Sequence, residues 1–368
     1  MNKKLVPALD SSNAFFTSYS NNGKYISFYG DNHPYYAGSV VKAMSSARNG
    51  YPHVAAMFGD DIREAQDVII DNNREAQSRK MALLDSFFAS LDTNFTATVV
   101  SVEKLTPTIV EVVVRAPYAA KKFQPGEFYR LQNYEVGAET LNGQPMVMEG
   151  LAMTGAWTDT ENGLLSMIGL EIGSSTRMMS RLKTGERVVV MGPTGAPTHI
   201  PHNETVMLCG GGLGNAVLFS ISKALKANGC KVVYFAGYKN GDDVFKMDEI
   251  ESGTDQVIWC SDTGGEIAPR RPQDKHYRGN IIQTMQEYHS GSLGEKSIRF
   301  EDVDRIIAIG SDGMMRAVKD SRHTIFQPFL KQHIAIGSIN SPMQCMMKEI
   351  CAQCLQKHVD PETGKEIT

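Results

Sequence analysis

A chain of 368 residues exceeds what one small hydrophobic core organises, so two or three domains are expected. A hydrophobic share of 42%, a charged share of 21% and a formal net charge of −4 describe an ordinary globular protein, with no electrostatic pull toward nucleic acid. No apolar run reaches the roughly eighteen residues of a membrane span, and the opening "MNKKLVPALDSSN" lacks the apolar centre of a secretion signal. A cytoplasmic protein is therefore expected, in which clustered cysteines serve as metal ligands or redox groups rather than as a disulfide framework.

Residues 1–55 hold a strand-like run "KYISFYG", the segment "DNHPYYAGS", and a helical "VVKAMSSARNG" closed by Gly50. Residues 56–95 read as a helical connector without chemistry. In it Leu84, Phe87, Phe88 and Leu91 take the i, i+3, i+4, i+7 spacing of one buried face, and the polar "DNNRE" at 71–75 is a point where the helix divides. Over 96–200 the pattern changes to short β-branched or alternating runs: "FTATVVSVEKL", "TIVEVVVRAP", "EFYRLQNYE" and "LLSMIGLEI". Turn signals such as "QPGE" and "TENG" separate them, which predicts a small antiparallel β-barrel. Over 201–340 strands alternate with helices, from "TVMLCGGG" through "KVVYFAGY" and "QVIWCSD" to "VDRIIAIGS", which predicts an α/β domain on a parallel sheet. Residues 341–368 form a cysteine-bearing tail.

Three strand ends in the α/β segment carry glycine and small polar residues: "CGGGLGNA" at 209–216, "CSDTGG" at 260–265 and "GSDGMM" at 310–315. Glycines at a strand–helix turn admit a pyrophosphate close to the backbone, where helix N–H groups are free. The strict G-x-G-x-x-G spacing is broken, because Asn215 stands at the third glycine position. Strand ends of this kind place a ligand crevice at the carboxyl edge of the sheet, and a nucleotide is the expected ligand. In the barrel segment, "IGSSTRMMSRL" enters a helix through Gly173, Ser174, Ser175 and Thr176, a pattern that suits a phosphate and plain helix capping alike. "GPTGAP" at 192–197 marks the passage from barrel to sheet.

In this order the motifs "PGEFYRLQ", "GSST", "GPTGAP", "CGGGLGNA", "CSDTGG" and "GSDGMM" resemble the ferredoxin-NADP reductase superfamily, on the branch of the dihydroorotate dehydrogenase electron-transfer subunit. The likeness covers about residues 96–356. It implies FAD held by the barrel and NAD(P)H by the α/β domain. By the same likeness Phe128, Tyr129 and Arg130 would lie along the flavin, and Thr154 would be the hydroxyl residue of the flavin motif. Gly173, Ser175 and Thr176 would hold the FAD pyrophosphate. Gly211, Gly212 and Gly214 would meet the nicotinamide nucleotide, with Asp262 and the loop from Gly310 beside it. One departure matters: the family's flavin motif carries an arginine, and "MEGLAMT" at 148–154 has none. Arg130 and Arg177 are the candidates to replace it, since a guanidinium matches phosphate oxygens bidentately. For a 2′-phosphate, Arg270 and Arg271 are candidates and Asp242 and Asp243 would repel it, so NADH and NADPH stay open.

The N-terminal "FYGDNHPYYAGSVVKAMSSARNG" resembles a second flavoprotein group, the tail of the FAD domain in the glutamate synthase small-subunit and pyridine nucleotide-disulfide oxidoreductase families. That likeness implies that Asp31 accepts a hydrogen bond from the ribityl chain of FAD and that the helix after Gly38 points at its pyrophosphate. The glycine-rich first half of such a fold is missing, so the chain reads as a piece or partner of a longer two-flavin protein. A bare strand–helix appendage is the alternative.

Half of the six cysteines, Cys345, Cys351 and Cys354, lie in "SPMQCMMKEICAQC". In the related branch such a cluster binds [2Fe–2S], which takes four ligands. Here the first gap is one residue longer than in that branch, and no cysteine follows Cys354. A cluster lost by truncation, His358 as fourth ligand with zinc or an unusual cluster, a ligand from a partner chain, and plain reduced thiols all remain open. Cys209, Cys230 and Cys260 stand among apolar residues and read as core thiols. The expected function is an NAD(P)H-dependent flavoprotein oxidoreductase, passing electrons from NAD(P)H through FAD to an iron–sulfur centre or a protein partner. The alternative is a non-catalytic partner subunit or truncated remnant of a larger two-flavin oxidoreductase. No hydrolytic residue set can be argued from spacing.

Overall fold

The computed structural model describes residues 14–21, 24–70, 74–338, 357–360 and 363–367, within two compact units divided between Ala89 and Ser90. The first unit opens with a hairpin, β1 (Phe16–Asn21) and β2 (Lys24–Ser27), followed by a tight turn over Gly30–Asn32. Ser39 then caps helix α1 (Val40–Met57), its hydroxyl accepting the Lys42 N–H at 3.3 Å. A small aromatic cluster forms the core: Phe15 lies 5.0 Å from His33 and 5.9 Å from Tyr36 between ring centroids, and Phe28 stacks on His33 at 4.7 Å.

Gly50 does not close the helix as expected; α1 runs through it and through Pro52 to Met57. The reason is packing. A Cβ at Gly50 would strike the rings of Phe15 and Tyr29, so this glycine lets the helix approach the cluster rather than ending it. The next segment divides into α2 (Gly59–Ile70) and α3 (Arg74–Phe95) where the polar run stands. The stripe expected to be buried is open instead: Leu84, Phe87 and Phe88 are 41%, 56% and 59% exposed. Periodicity aligns apolar residues on one side of a helix without supplying anything to cover them.

The second unit begins with the barrel: β3 (Ala97–Lys104), β4 (Ile109–Arg115), short α4 (Pro117–Lys122), β5 (Phe128–Asn133), a small hairpin β6 (Thr140–Leu141) and β7 (Gln144–Pro145), β8 (Leu151–Asp159), β9 (Leu164–Leu170), α5 (Ser174–Met179) and β10 (Arg187–Thr194). The six longer strands close in the antiparallel order β10-β3-β4-β9-β8-β5. Strand β4 shows why its sequence is apolar on both faces. Val110, Val112 and Val114 fill the barrel, whereas Ile109 on the opposite face joins the core of the following α/β domain.

That domain contains β11 (Thr205–Gly211), α6 (Gly214–Ala227), β12 (Lys231–Asn240), α7 (Met247–Ser252), β13 (Gln256–Thr263), β14 (Lys275–Arg278), α8 (Ile281–Ser290), β15 (Arg305–Ile309), α9 (Asp312–His323) and β16 (Ile334–Gly337). All sheet pairings are parallel, in the order β14-β13-β12-β11-β15-β16, so the strand order reverses beside β11. A short hairpin, β17 (His358–Val359) and β18 (Glu366–Ile367), completes the described chain. Among the described residues no helix is long and apolar enough to cross a membrane.

Barrel and sheet share one core. Ile109, Ala156 and Ile168 of the barrel pack with Leu218, Phe219 and Phe245 of the α/β domain. Inside that seam Glu111 is 3% exposed and fully partnered. Its Oε1 accepts from Trp157 Nε1 at 2.9 Å and Ser166 Oγ at 2.7 Å, and Oε2 pairs with Lys246 Nζ at 2.7 Å. Removing one partner of a buried pair strands the other charge. Glu111→Gln should therefore lower stability by about 2–3 kcal/mol in urea unfolding. Lys104→Ala, which breaks an exposed pair with Glu171, should cost under about 1 kcal/mol.

Candidate functional site

The site grows from the end of β11. Gly212 takes φ +53°, a backbone state that suits glycine, and α6 starts two residues later. A Cβ on Gly214 would collide with the Ile309 carbonyl, so a glycine there lets the helix start press against β15. Asn215, at the place where the glycine pattern breaks, is fully buried and acts as the brace of this turn. Its Nδ2 donates to the Gly212 carbonyl at 2.9 Å and reaches the Gly237 carbonyl at 3.4 Å, and its Oδ1 accepts from the Tyr234 hydroxyl at 3.0 Å. An asparagine holds two strand ends and a helix together where a glycine would leave the carbonyls to other partners.

Beyond these strand ends lies a cleft of about 1420 Å³ between barrel and sheet. Its barrel wall is formed by Gly150, Ala152, Thr154 and Gly169, and the entry to α5 adds Gly173, Ser175 and Thr176. The sheet wall is formed by Gly210–Gly214, Asp262 and Gly310, with Asn280 and Ile281 at the start of α8. The cleft thus gathers Thr154, Gly173, Ser175, Thr176, Gly211, Gly212, Gly214, Asp262 and Gly310 of the residues singled out by sequence. Asn280 and Ile281 were missed. The signal available was the capping pattern Asn280-x-x-Gln283, whose Asn side chain accepts from the N–H groups of Ile282 and Gln283 at 3.0 Å.

The hydroxyls at the α5 entry are engaged locally. Thr176 Oγ1 accepts the Gly173 N–H at 3.0 Å, and Ser175 Oγ accepts the Glu149 N–H at 3.2 Å. Phe128 and Tyr129 are not on the cleft. Tyr129 points into the barrel core and donates its hydroxyl to the Ala119 carbonyl at 2.9 Å, and burial raises its pKa above the usual phenol range. Strand alternation turns Tyr129 inward, whereas Phe128, on the same face as Arg130, is buried with its ring against Gly195 instead. Arg130 does face outward, against Gly150 of the cleft wall.

Asp31 sits in the Gly30–Asn32 turn of the first unit, and its side chain lies outside the description. Helix α1 begins at Val40. Cys345, Cys351 and Cys354 lie outside the described residues, as does the His358 side chain; among the described residues no group of metal-ligating side chains occurs. Arg270 and Arg271 are bound within the fold. Arg270 pairs with Asp248 and Glu251, and Arg271 with Asp274 and the carbonyls of Glu251 and Thr254. Asp242 accepts the Gly265 N–H at 3.1 Å. Cys209, Cys230 and Cys260 are buried free thiols, and burial pushes Cys260, at the cleft floor, up to about 12.

A closed antiparallel barrel joined to a parallel α/β domain across a common cleft is the fold of the ferredoxin-NADP reductase type. A solved structure of this kind, described as an NADH-dependent reduced ferredoxin-NADP oxidoreductase, superposes with a TM-score of 0.54 at 23% identity over 71% of this chain and 82% of that one. No family model matches the chain. In sequence it is similar to an electron-transfer subunit homolog of dihydroorotate dehydrogenase B (NAD(+)) from Thermotoga maritima, 29% identical over 160 residues, 43% of this chain and 53% of that protein. An uncharacterized protein of Rickettsia prowazekii is 31% identical over 331 residues, 90% of this chain and 35% of that protein. The chain spans about a third of the length of the Rickettsia relative and about half of the Thermotoga one. The Thermotoga relative is of the branch that the motif order resembles, and the solved structure has the fold that this resemblance implies.

Two tests follow from the geometry. Asn215→Leu keeps the branched shape but removes the side-chain donor shared by the Gly212 and Gly237 carbonyls and the acceptor of the buried Tyr234 hydroxyl, so a loss of about 2 kcal/mol is expected in denaturant unfolding. Behind Asp262, His276 Nε2 meets Ser261 Oγ at 3.1 Å; burial lowers its pKa from 6.5, with Glu266 opposing. The unfolded chain then binds more protons just below pH 6.5, so stability should fall as pH drops through that value. Urea midpoints measured across this range should slope less in His276→Gln.

Proposed function

We propose that this chain is a flavin-dependent NAD(P)H oxidoreductase module. One observation carries the reading: a single cleft is walled on one side by barrel strands and on the other by the glycine-rich ends of a parallel sheet. A dinucleotide lying along β11, β13 and β15 would find the side-chain-free turn at Gly212, the helix start at Gly214 and the Asp262 carboxylate within the same cleft. A tricyclic ring would rest on Ala152 and Thr154, small residues that leave the wall open. The fit for FAD rests on chemistry present in the chain: the glycine-lined space, and an arginine against the wall whose buried Nε has no hydrogen-bond partner. Bound FAD would supply a ring that accepts a hydride and releases electrons one at a time.

The protein's own contribution is placement. The Glu111–Lys246 seam fixes the barrel against the sheet, so two ligands bound to separate domains would share one orientation. Burial keeps Cys260, which lines the cleft, a neutral thiol rather than a nucleophile. Onward transfer through Cys345, Cys351 and Cys354 to an iron–sulfur centre or protein acceptor is part of the reading, and it rests on the sequence pattern alone.

The test is a titration of purified protein with FAD followed by absorbance, then NADH or NADPH oxidation with an artificial electron acceptor. Flavin bands that shift on binding, and turnover that needs FAD, are expected. A protein that binds FAD without turnover would favour the non-catalytic partner subunit; one that binds no flavin would remove the reading. Iron and acid-labile sulfide measured on anaerobically purified protein decide the cluster.

A further inference from the structure

The wall segment Met148–Thr154 carries no cation, and its own Glu149 adds a negative charge. The register of β5 on β8 supplies one from the next strand. Phe128 lies opposite Thr154 and Arg130 opposite Ala152, so Arg130 projects from the outer face, the same side as two cleft-lining residues. Its guanidinium then lies across Gly150. A Cβ on that residue would fall onto Nε and within 2.5 Å of Cζ, so the arginine occupies the space that a side chain at position 150 would take.

The electrostatic state of this group sets it apart from its neighbours. Arg181 pairs with Glu139 and Arg187 with Asp92. Among the described residues no carboxylate pairs with Arg130, and its buried Nε has no hydrogen-bond partner. A half-buried guanidinium without a counter-ion is costly unless an anion arrives, and its planar fork suits two phosphate oxygens. Neither arginine is itself a cleft-lining residue; Arg130 lies against the lining residue Gly150, whereas Arg177, the other candidate, is exposed on α5 and lies near the Glu171 carboxylate.

We propose that Arg130, made room for by Gly150, is the cation that meets the diphosphate of FAD in this chain. The inference rests on the flavin reading above and adds which residue replaces the missing arginine and how the backbone admits it.

Fluorescence titration of the full chain with FAD and with riboflavin, at low and high salt, tests it. Arg130→Gln should weaken FAD about ten-fold while leaving riboflavin affinity unchanged, because riboflavin has no phosphate. The salt dependence of FAD affinity should flatten in the same variant. Gly150→Ala keeps the arginine but displaces it, and should show the same selective loss; Arg177→Gln should match wild type. Equal loss of FAD and riboflavin in Arg130→Gln would mean a structural role and overturn the proposal, as would unchanged FAD affinity. If wild type binds riboflavin and FAD equally, no phosphate cation is at work and the proposal fails while the flavin reading stands. If wild type binds neither, the flavin reading itself falls.

Discussion

The arrangement depends on one buried carboxylate. Glu111 stands on the outer face of a barrel strand whose other residues before Arg115 are valine and isoleucine, where a charge would be expelled unless satisfied. Two donors from the barrel's own strands hold one oxygen, and Lys246 of the α/β domain neutralises the other. Lys246 reaches it from a left-handed backbone position, φ +50°, at the start of α7. A hydrophobic seam alone tolerates sliding, because burial has no direction. The ion pair has a direction, and it ties the barrel to the sheet at one orientation.

With that orientation set, the shape of the cleft follows from where side chains are missing. Gly210, Gly214 and Gly310 allow three strand ends and a helix to meet more closely than any Cβ permits, since added carbons would strike Asn215, Ile309 and Gly211 or Met314. At these positions the cleft wall is therefore backbone rather than side chain. Asn215 adds a side-chain donor to two carbonyls of this junction that backbone N–H groups already meet, and so ties their strands together. The departure from a glycine pattern is therefore a gain in rigidity at the turn.

The barrel wall follows the same logic with charge. A cation can be delivered to a given place by any neighbouring strand in register, provided the residue beneath it is small. Arg130 and Gly150 form such a couple across β5 and the start of β8. In linear order they are twenty positions apart and belong to no common motif, so a pattern read along the chain offers Arg130 and Arg177 alike and says nothing of Gly150.

The sequence alone determined the classes of element and their order. Alternating β-branched runs after residue 96 form a barrel, and strand–helix alternation after residue 204 forms a parallel sheet, because side-chain period reports which faces are covered. It also located most of the cleft, since ligand crevices in such sheets open where glycine-rich strand ends gather. What tertiary structure alone decided were matters of facing and partnership. Tyr129 turned inward and Arg130 outward by strand alternation. Gly50 became a packing contact instead of a helix end, and the Leu84, Phe87 and Phe88 stripe stayed exposed. Arg270 and Arg271 were taken up by internal carboxylates. Each of these turns on which distant group comes within a few ångströms, and local pattern, being a property of neighbours along the chain, holds no record of that.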